Sequence, residues 1–260
     1  MVASGTTADP CAECGGRGWL FTTEGGVRKA RPCPCRERDL AERRLASAHI
    51  PDRYRGCNLD NFQVQLAGEG PELQGALSLC RQYRDSFLTL DGKLRESGLL
   101  FVGPPGVGKT HLATALLRDL IQRFRVTGRF VDFTSLIHQI QSTFDPGSPE
   151  SKRQVLDPVV GAELLVLDEL GAQKPTPWVT DILYLIINTR YTERRPTLFT
   201  TNYRIDEGGA GEGASSFGQL SSRIPPMLVS RLYEMAQPVV LSAVGDFRRE
   251  FKVHQHRLDP

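Results

Sequence analysis

The chain has 260 residues, of which 40% are hydrophobic and 24% charged. That is enough for one α/β domain of ordinary size with a small appendage. A formal net charge of +2 is too near zero to argue for nucleic acid by itself. No apolar run approaches the roughly 18 residues a membrane span needs. The opening residues, Met1 to Pro10, lack the cationic start and apolar stretch of a secretion signal, so the sequence predicts a cytoplasmic protein with no membrane contact.

Four of the six cysteines fall early, as Cys11-x-x-Cys14 and Cys33-x-Cys35. Thiols stay reduced in the cytoplasm, which favours metal ligation over disulfides. Residues 19–23 and 27–30 read as a hairpin turning at Glu24-Gly25-Gly26. Such a hairpin brings both pairs to one end, where four thiolates would surround Zn²⁺ tetrahedrally. A segment this short has little core, so the metal would supply much of its folding free energy. The second spacing is tighter than in most zinc ribbons; a redox pair and an unstructured tail are the other readings. Cys57 and Cys80 stand alone and read as buried small residues.

Residues 37–48 read as a charged helix, broken by Ile50-Pro51, and residues 56–62 as an extended entry into the main domain. A turn is expected at 68–71, then an amphipathic helix over 73–90 with Leu73, Leu77, Leu79, Cys80, Tyr83, Phe87 and Leu88 on its apolar positions. Next comes the most informative stretch, Gly103-Pro104-Pro105-Gly106-Val107-Gly108-Lys109-Thr110. The apolar run 99–102 before it reads as a buried strand, and His111-Leu112-Ala113 and the residues beyond as a helix. Strand, glycine-rich turn and helix together aim backbone N–H groups at phosphate oxygens. In that arrangement Lys109 reaches the β/γ-phosphates and Thr110 ligates Mg²⁺. The sequence therefore predicts binding of a nucleoside triphosphate.

Residues 129–133 read as a second strand, followed by a helix capped by Thr134 and carrying Leu136, Ile137, Ile140 and Phe144. A third strand ends in Asp168-Glu169. After a phosphate loop, Asp168 is expected to hold Mg²⁺ and Glu169 to polarise the attacking water. A helix over 178–191 leads to a strand over 197–202, whose terminal Asn202 is placed to touch the γ-phosphate or the water. A glycine-rich loop spans 207–216, a helix carries 227–232, and a last strand spans 237–241 with a proline suited to an edge. Arg223 and Arg231 are both placed to serve as a finger reaching a neighbour's γ-phosphate.

These motifs resemble the AAA+ ATPases of the bacterial helicase-loader group, the DnaC/DnaI-type proteins, and their IstB-type transposition relatives. The resemblance is carried by Ile50-Pro51-Asp52-Arg53-Tyr54, the octet with His111-Leu112-Ala113, residues 165–171, Thr200-Thr201-Asn202, Val229-Ser230-Arg231-Leu232 and Gly245-Asp246-Phe247-Arg248. It implies an AAA+ core over residues 50–260, a parallel sheet flanked by helices, preceded by a zinc-binding and helical arm over 1–49. It also implies that His111 belongs to the nucleotide site, that Asn202 is the first sensor, that Arg231 is the favoured finger and that Arg248 is a late sensor. The function it implies is ATP-dependent loading of a replicative helicase onto single-stranded DNA by a self-assembling spiral or ring, with assistance to a transposase as the alternative. The glycine-rich insertion departs from the commoner pattern. A P-loop switch with very slow turnover is a further reading, which ATP hydrolysis measured with and without single-stranded DNA would distinguish.

Overall fold

The computed structural model describes residues 11–64, 70–145, 147, 149–205 and 218–241. The expected glycine-rich loop and Arg248 with its neighbours lie outside the described residues, as does most of the 68–71 turn.

The chain opens with an antiparallel hairpin, β1 (Trp19–Glu24) and β2 (Val27–Pro32). Gly25 and Gly26 link them at φ 59° and 78°, the mirror-image turn that matches strand twist and that residues with a side chain adopt at a cost. Helix α1 (Pro34–Ser47) starts earlier than the charge pattern suggests, with Pro34 at its first position, Glu37 in its first turn and Arg44 in its last. Its end is pinned to the main domain, where the Phe130 N–H donates to Ala48 O at 2.7 Å.

Helix α2 (Gly70–Asp85) stops five residues short of the expected 90. Asp91-Gly92 turns the chain: Thr89 N–H donates to Lys93 O and Arg95 N–H to Phe87 O, so Phe87 and Leu88 belong to the return loop. Then follow β3 (Gly98–Val102), α3 (Lys109–Phe124), β4 (Gly128–Asp132) and α4 (Phe133–Ser142). The cap of α4 is Asp132, whose carboxylate accepts from Ser135 N–H; Thr134, the expected cap, lies inside the helix. Helix α5 (Lys152–Gly161) was not foreseen, although Ser151 and Gln154 form a reciprocal capping box at its start. The remainder is β5 (Leu164–Asp168), α6 (Pro177–Thr192), β6 (Thr197–Thr201), α7 (Pro226–Met235) and β7 (Ala236–Val240).

Strands β3 to β7 form one parallel sheet in the order β4-β5-β6-β3-β7. The three central strands are buried at every position, as a sheet covered on both faces requires. One apolar cluster joins α2 and α3 to one face; the other joins α4 to α7 to the opposite face. Strand β7 is the edge that its Pro238 suggested. Cys57 and Cys80 are buried in the first cluster, as expected.

Arg190 on α6 is 1% exposed and reaches the end of α5 and the start of β6. It donates from Nε to Thr197 Oγ1 (2.8 Å), from Nη1 to Val159, Val160 and Ala162 carbonyls (3.3, 3.2 and 2.8 Å), and from Nη2 to Pro196 O (2.8 Å). It thereby satisfies the carbonyls left over at the end of α5. Burial pushes its pKa down to about 9, which leaves the guanidinium charged at neutral pH.

Candidate functional site

The loop between β3 and α3 leaves no room for a side chain at two of its glycines. A Cβ at Gly103 would stand 2.1 Å from Leu241 O, and one at Gly108 would stand 2.5 Å from the Phe62 ring. Gly108 also holds φ at 96°, a left-handed value that favours glycine. It is the cap residue of α3 and offers no side chain to the first turn, so the orphan N–H groups of Lys109 and its neighbours face the loop. A helix start of this kind is an anion site. Lys109 is buried and folds back on the loop, its Nζ donating to Gly103 O (2.8 Å) and Pro104 O (2.7 Å).

Thr110 and Thr200 converge on one carboxylate. Thr110 Oγ1 donates to Asp168 Oδ1 at 2.9 Å, and Thr200 Oγ1 donates to the same oxygen at 2.6 Å. Asp168 is 4% exposed, and burial pushes its pKa up to about 6 despite the two hydroxyl donors. A carboxylate this poorly solvated, beside a threonine hydroxyl at a phosphate loop, is a donor set suited to a hard divalent cation. Glu169 follows at φ 60°, an uncommon conformation for a non-glycine residue and one found at functional sites. Its N–H donates to Thr200 Oγ1 at 3.0 Å, so Thr200 sets both acids at once. Its place was legible in Thr200-Thr201-Asn202; its bridging role was not.

These groups open on a cavity of about 430 Å³, a size suited to a small-molecule ligand. Its lining combines Pro105 to His111, Glu169, Thr200 and Asn202 with Arg53, Tyr54, Cys57, Phe62 and Leu73. The second set follows from local chain chemistry. Asn58 Oδ1 accepts from the N–H groups of Asp60 and Asn61, and Asn61 Nδ2 donates to Gly56 O. This asparagine turn delivers Phe62 edge-on to His111, ring centroids 5.4 Å apart. His111 Nε2 lies 3.1 Å from Asn58 O, and burial holds the imidazole below its ordinary pKa. Arg53 stacks over Tyr54 at 4.9 Å. The cavity thus joins a phosphate loop to apolar and aromatic side chains, a combination that fits a nucleotide. Phe62, Cys57 and Leu73 carry no sequence signal for such a wall; Asn58 and Asn61 set the loop that carries Cys57 and Phe62, and α2 carries Leu73.

Every octet residue expected at the site is therefore at or behind this cavity, as are His111, Asp168, Glu169 and Asn202. The two arginines are not among its described lining residues. Arg223 is committed to its own chain, donating to the carbonyls of Gly171 (2.8 Å), Ala172 (3.2 Å) and Gln173 (3.0 Å) just after Glu169. Arg231 lies over Tyr184 and Tyr191 at 5.2 and 5.6 Å, and its Nη1 is buried with no hydrogen-bond partner among the described residues.

At the other end of the chain, Cys11, Cys14, Cys33 and Cys35 place their sulfurs within 4.8 Å of one another. Two of the separations are 3.8 Å (Cys11 to Cys33) and 3.4 Å (Cys14 to Cys35). Tetrahedral thiolates 2.3 Å from Zn²⁺ stand about 3.8 Å apart, so the cluster fits that ion. The early start of α1 matters here, because it carries Cys35 back toward Cys14. Gly18 N–H already donates to Cys14 Sγ at 3.3 Å, as expected around a metal-bound thiolate.

Asp168→Asn is expected to separate stability from function. The Asp168 carboxyl has a folded pKa near 6, above its ordinary value, so ionising it costs folding free energy. That cost is absent below about pH 4, appears as pH rises through about 6, and is then constant. The Asn variant escapes it. Without Mg²⁺ at pH 7.5 it should unfold on the order of 1–3 kcal/mol later in urea than the parent while losing Mg²⁺-dependent hydrolysis. A variant less stable than the parent would contradict the account of Asp168.

Comparisons with known proteins agree with this geometry. The family model for IstB-like ATP-binding proteins matches residues 78–215. The replicative helicase loader DnaC of Escherichia coli is 30% identical over 166 residues, which is 64% of this chain and 63% of the loader. The chain thus spans less than two thirds of that relative's length. A putative ATP-binding protein of insertion sequence IS5376 from Geobacillus stearothermophilus is 35% identical over 128 residues, 49% of each chain. A crystal structure of the DnaC helicase loader superposes with a TM-score of 0.60 at 31% identity, covering 74% of this chain and all of that one. The sheet order, the phosphate loop, the Asp168-Glu169 strand end and these likenesses place the chain in the IstB-like ATP-binding protein family, with the AAA+ fold its sequence implied.

Proposed function

We propose that the chain is an ATP-driven loader that places a replicative helicase on single-stranded DNA, with residues 1–49 as its partner-binding arm and 50–260 as its ATPase. The observation that carries this reading is the likeness to the DnaC loader over that structure's full length, joined to a cavity lined by the phosphate loop, Glu169, Thr200 and Asn202. Lys109 would exchange its two loop carbonyls for β/γ-phosphate oxygens. Thr110 and Asp168 would hold Mg²⁺, which neutralises phosphate charge when bound. Glu169 would orient the attacking water, with Asn202 beside it. Arg53, Tyr54 and Phe62 would receive the base. Such a protein acts in the cytoplasm, where the helicase and the exposed strand are. Among the described residues no helix is long and apolar enough to cross a membrane.

Arg231 completes the site only when chains assemble into a spiral or ring, because a neighbour must present it. Arg231→Ala should leave ATP binding intact and lower hydrolysis of the assembled form by about a thousandfold. Arg223→Ala should instead loosen the loop after Glu169 and lower stability by about 1–2 kcal/mol. If Arg223→Ala gives the trans-acting loss, the finger is Arg223.

For the arm, metal analysis of the purified protein should find one zinc per chain, held by the four cysteines. Chelation should release it and melt the hairpin, whose core is little more than these residues. No zinc, with Cys11 and Cys35 freely alkylated, would remove the metal from the account.

The IS5376 relative favours a second reading, assistance to a transposase by the same ATPase core. ATP hydrolysis measured with and without single-stranded DNA tests the enzymatic claim common to both. The expected result is stimulation by DNA and its loss in Glu169→Gln. No stimulation, together with an unaffected Glu169→Gln variant, would leave a nucleotide-binding switch in place of an ATPase.

A further inference from the structure

The hairpin of the arm has two unlike faces. Leu20 packs against the cysteine cluster, which fixes one face inward. Strand alternation then places Trp19, Phe21 and Thr23 on the other face, where the register sets Pro32, Ala30 and Arg28 opposite them. Trp19 is 40% and Phe21 49% exposed, although a segment this short would gain by burying both.

Each ring carries a guanidinium. Arg28 lies 4.5 Å from the centroid of Phe21, and Arg36, from the first turn of α1, lies 4.7 Å from that of Trp19. Neighbouring Thr23, Ala30 and Pro32 are small or flat, and none of the described residues on this face of the hairpin is acidic. The hairpin as a whole is basic: residues 17–36 contain five basic side chains against one acidic, while the entire chain nets only +2, and of the five Arg28 and Arg36 lie at the rings of this face.

We infer that this face of the arm binds single-stranded nucleic acid. Planar rings in a row are platforms on which unpaired bases stack, and guanidiniums beside them supply both phosphate contacts and further stacking planes. Duplex bases are stacked on each other and cannot use such a platform, whereas an unpaired strand can. Charge complementarity selects a polyanion over an apolar peptide as the occupant. The surface is separate from the ATP cavity and does not depend on the loader reading.

The test uses the full chain and oligothymidylate. Trp19 and Trp178 are the two tryptophans, so Trp178→Phe leaves Trp19 as a reporter on the platform itself. Titration with oligothymidylate should quench its emission, since a stacked base lies directly on the indole. Arg28→Glu with Arg36→Glu should raise the Kd at least about tenfold and reduce the salt slope by about 1.4, two phosphate contacts at 0.7 each. Phe21→Ala should weaken binding about tenfold with the salt slope unchanged. Retained zinc would show that each variant keeps its fold. Binding with Trp19 emission unchanged and no effect of the arginine reversals would overturn the inference. So would a loss confined to binding of a replicative helicase, which would make the face a protein-docking surface.

Discussion

Lys109→Ala is expected to weaken ATP binding at least about a hundredfold and to abolish hydrolysis. The reason lies in where the ammonium already is. Buried at the start of α3, it donates to the carbonyls of Gly103 and Pro104, which carry no formal charge. A triphosphate offers the same donors charged oxygens, and charge-assisted hydrogen bonds of this kind contribute about 1.5–3 kcal/mol each. Losing two of them accounts for the expected change in affinity. Stability should change little by comparison, because the carbonyls the lysine leaves can be hydrated through the open cavity. Calorimetric titration with ATP checks the first point and urea unfolding the second. Retained affinity would refute the phosphate role of Lys109.

Arg190→Ala has the largest expected effect on folding. Its guanidinium makes five hydrogen bonds in a site 1% exposed, four of them to carbonyls of Val159, Val160, Ala162 and Pro196. Truncation strands those acceptors away from water and leaves a cavity where the side chain was. Breaking a buried charged network costs about 3–5 kcal/mol, a large part of the stability of a typical domain. Arg190→Lys should recover only part of this, since one ammonium cannot reach carbonyls on both sides of the fork. Urea unfolding of the two variants checks the order. A loss below about 1 kcal/mol for Arg190→Ala would mean that water can enter the gap and satisfy the end of α5.

Arg190 also marks the limit of what the sequence made legible. Nothing in the helix pattern of residues 177–192 distinguishes it from an exposed arginine; its partners lie on α5, which has only Ser151 and Gln154 to announce it, and on β6. The same holds for Phe62, whose place above Gly108 depends on an asparagine turn read only once folded. By contrast, the phosphate loop, Asp168-Glu169 and Asn202 were legible because each combines a buried strand with an abrupt polar end, and a parallel sheet collects such ends along one edge. The helix errors have local causes. Helix α2 stops because Thr89 and Asp91-Gly92 close a turn that apolar spacing does not register, and α4 takes Asp132 as its cap because the strand before it ends one residue sooner than its apolar run.

The arm and the cavity are joined by a short path. Ala48 bonds to β4 through Phe130 N–H, and Arg53 and Tyr54, a few residues on, line the cavity. Tyr54 also packs on Phe130, ring centroids 6.1 Å apart.

Deposition of the replicative helicase of the same organism on closed circular single-stranded DNA tests the loader directly, because a ring cannot thread onto a circle without being opened. With the full chain and ATP, helicase should accumulate on the circles and unwind an annealed strand, and Lys109→Ala should leave the circles bare. Circles equally bare with the parent chain, alongside ATP-dependent stimulation of a transposase, would contradict the loader and give the ATPase to transposition.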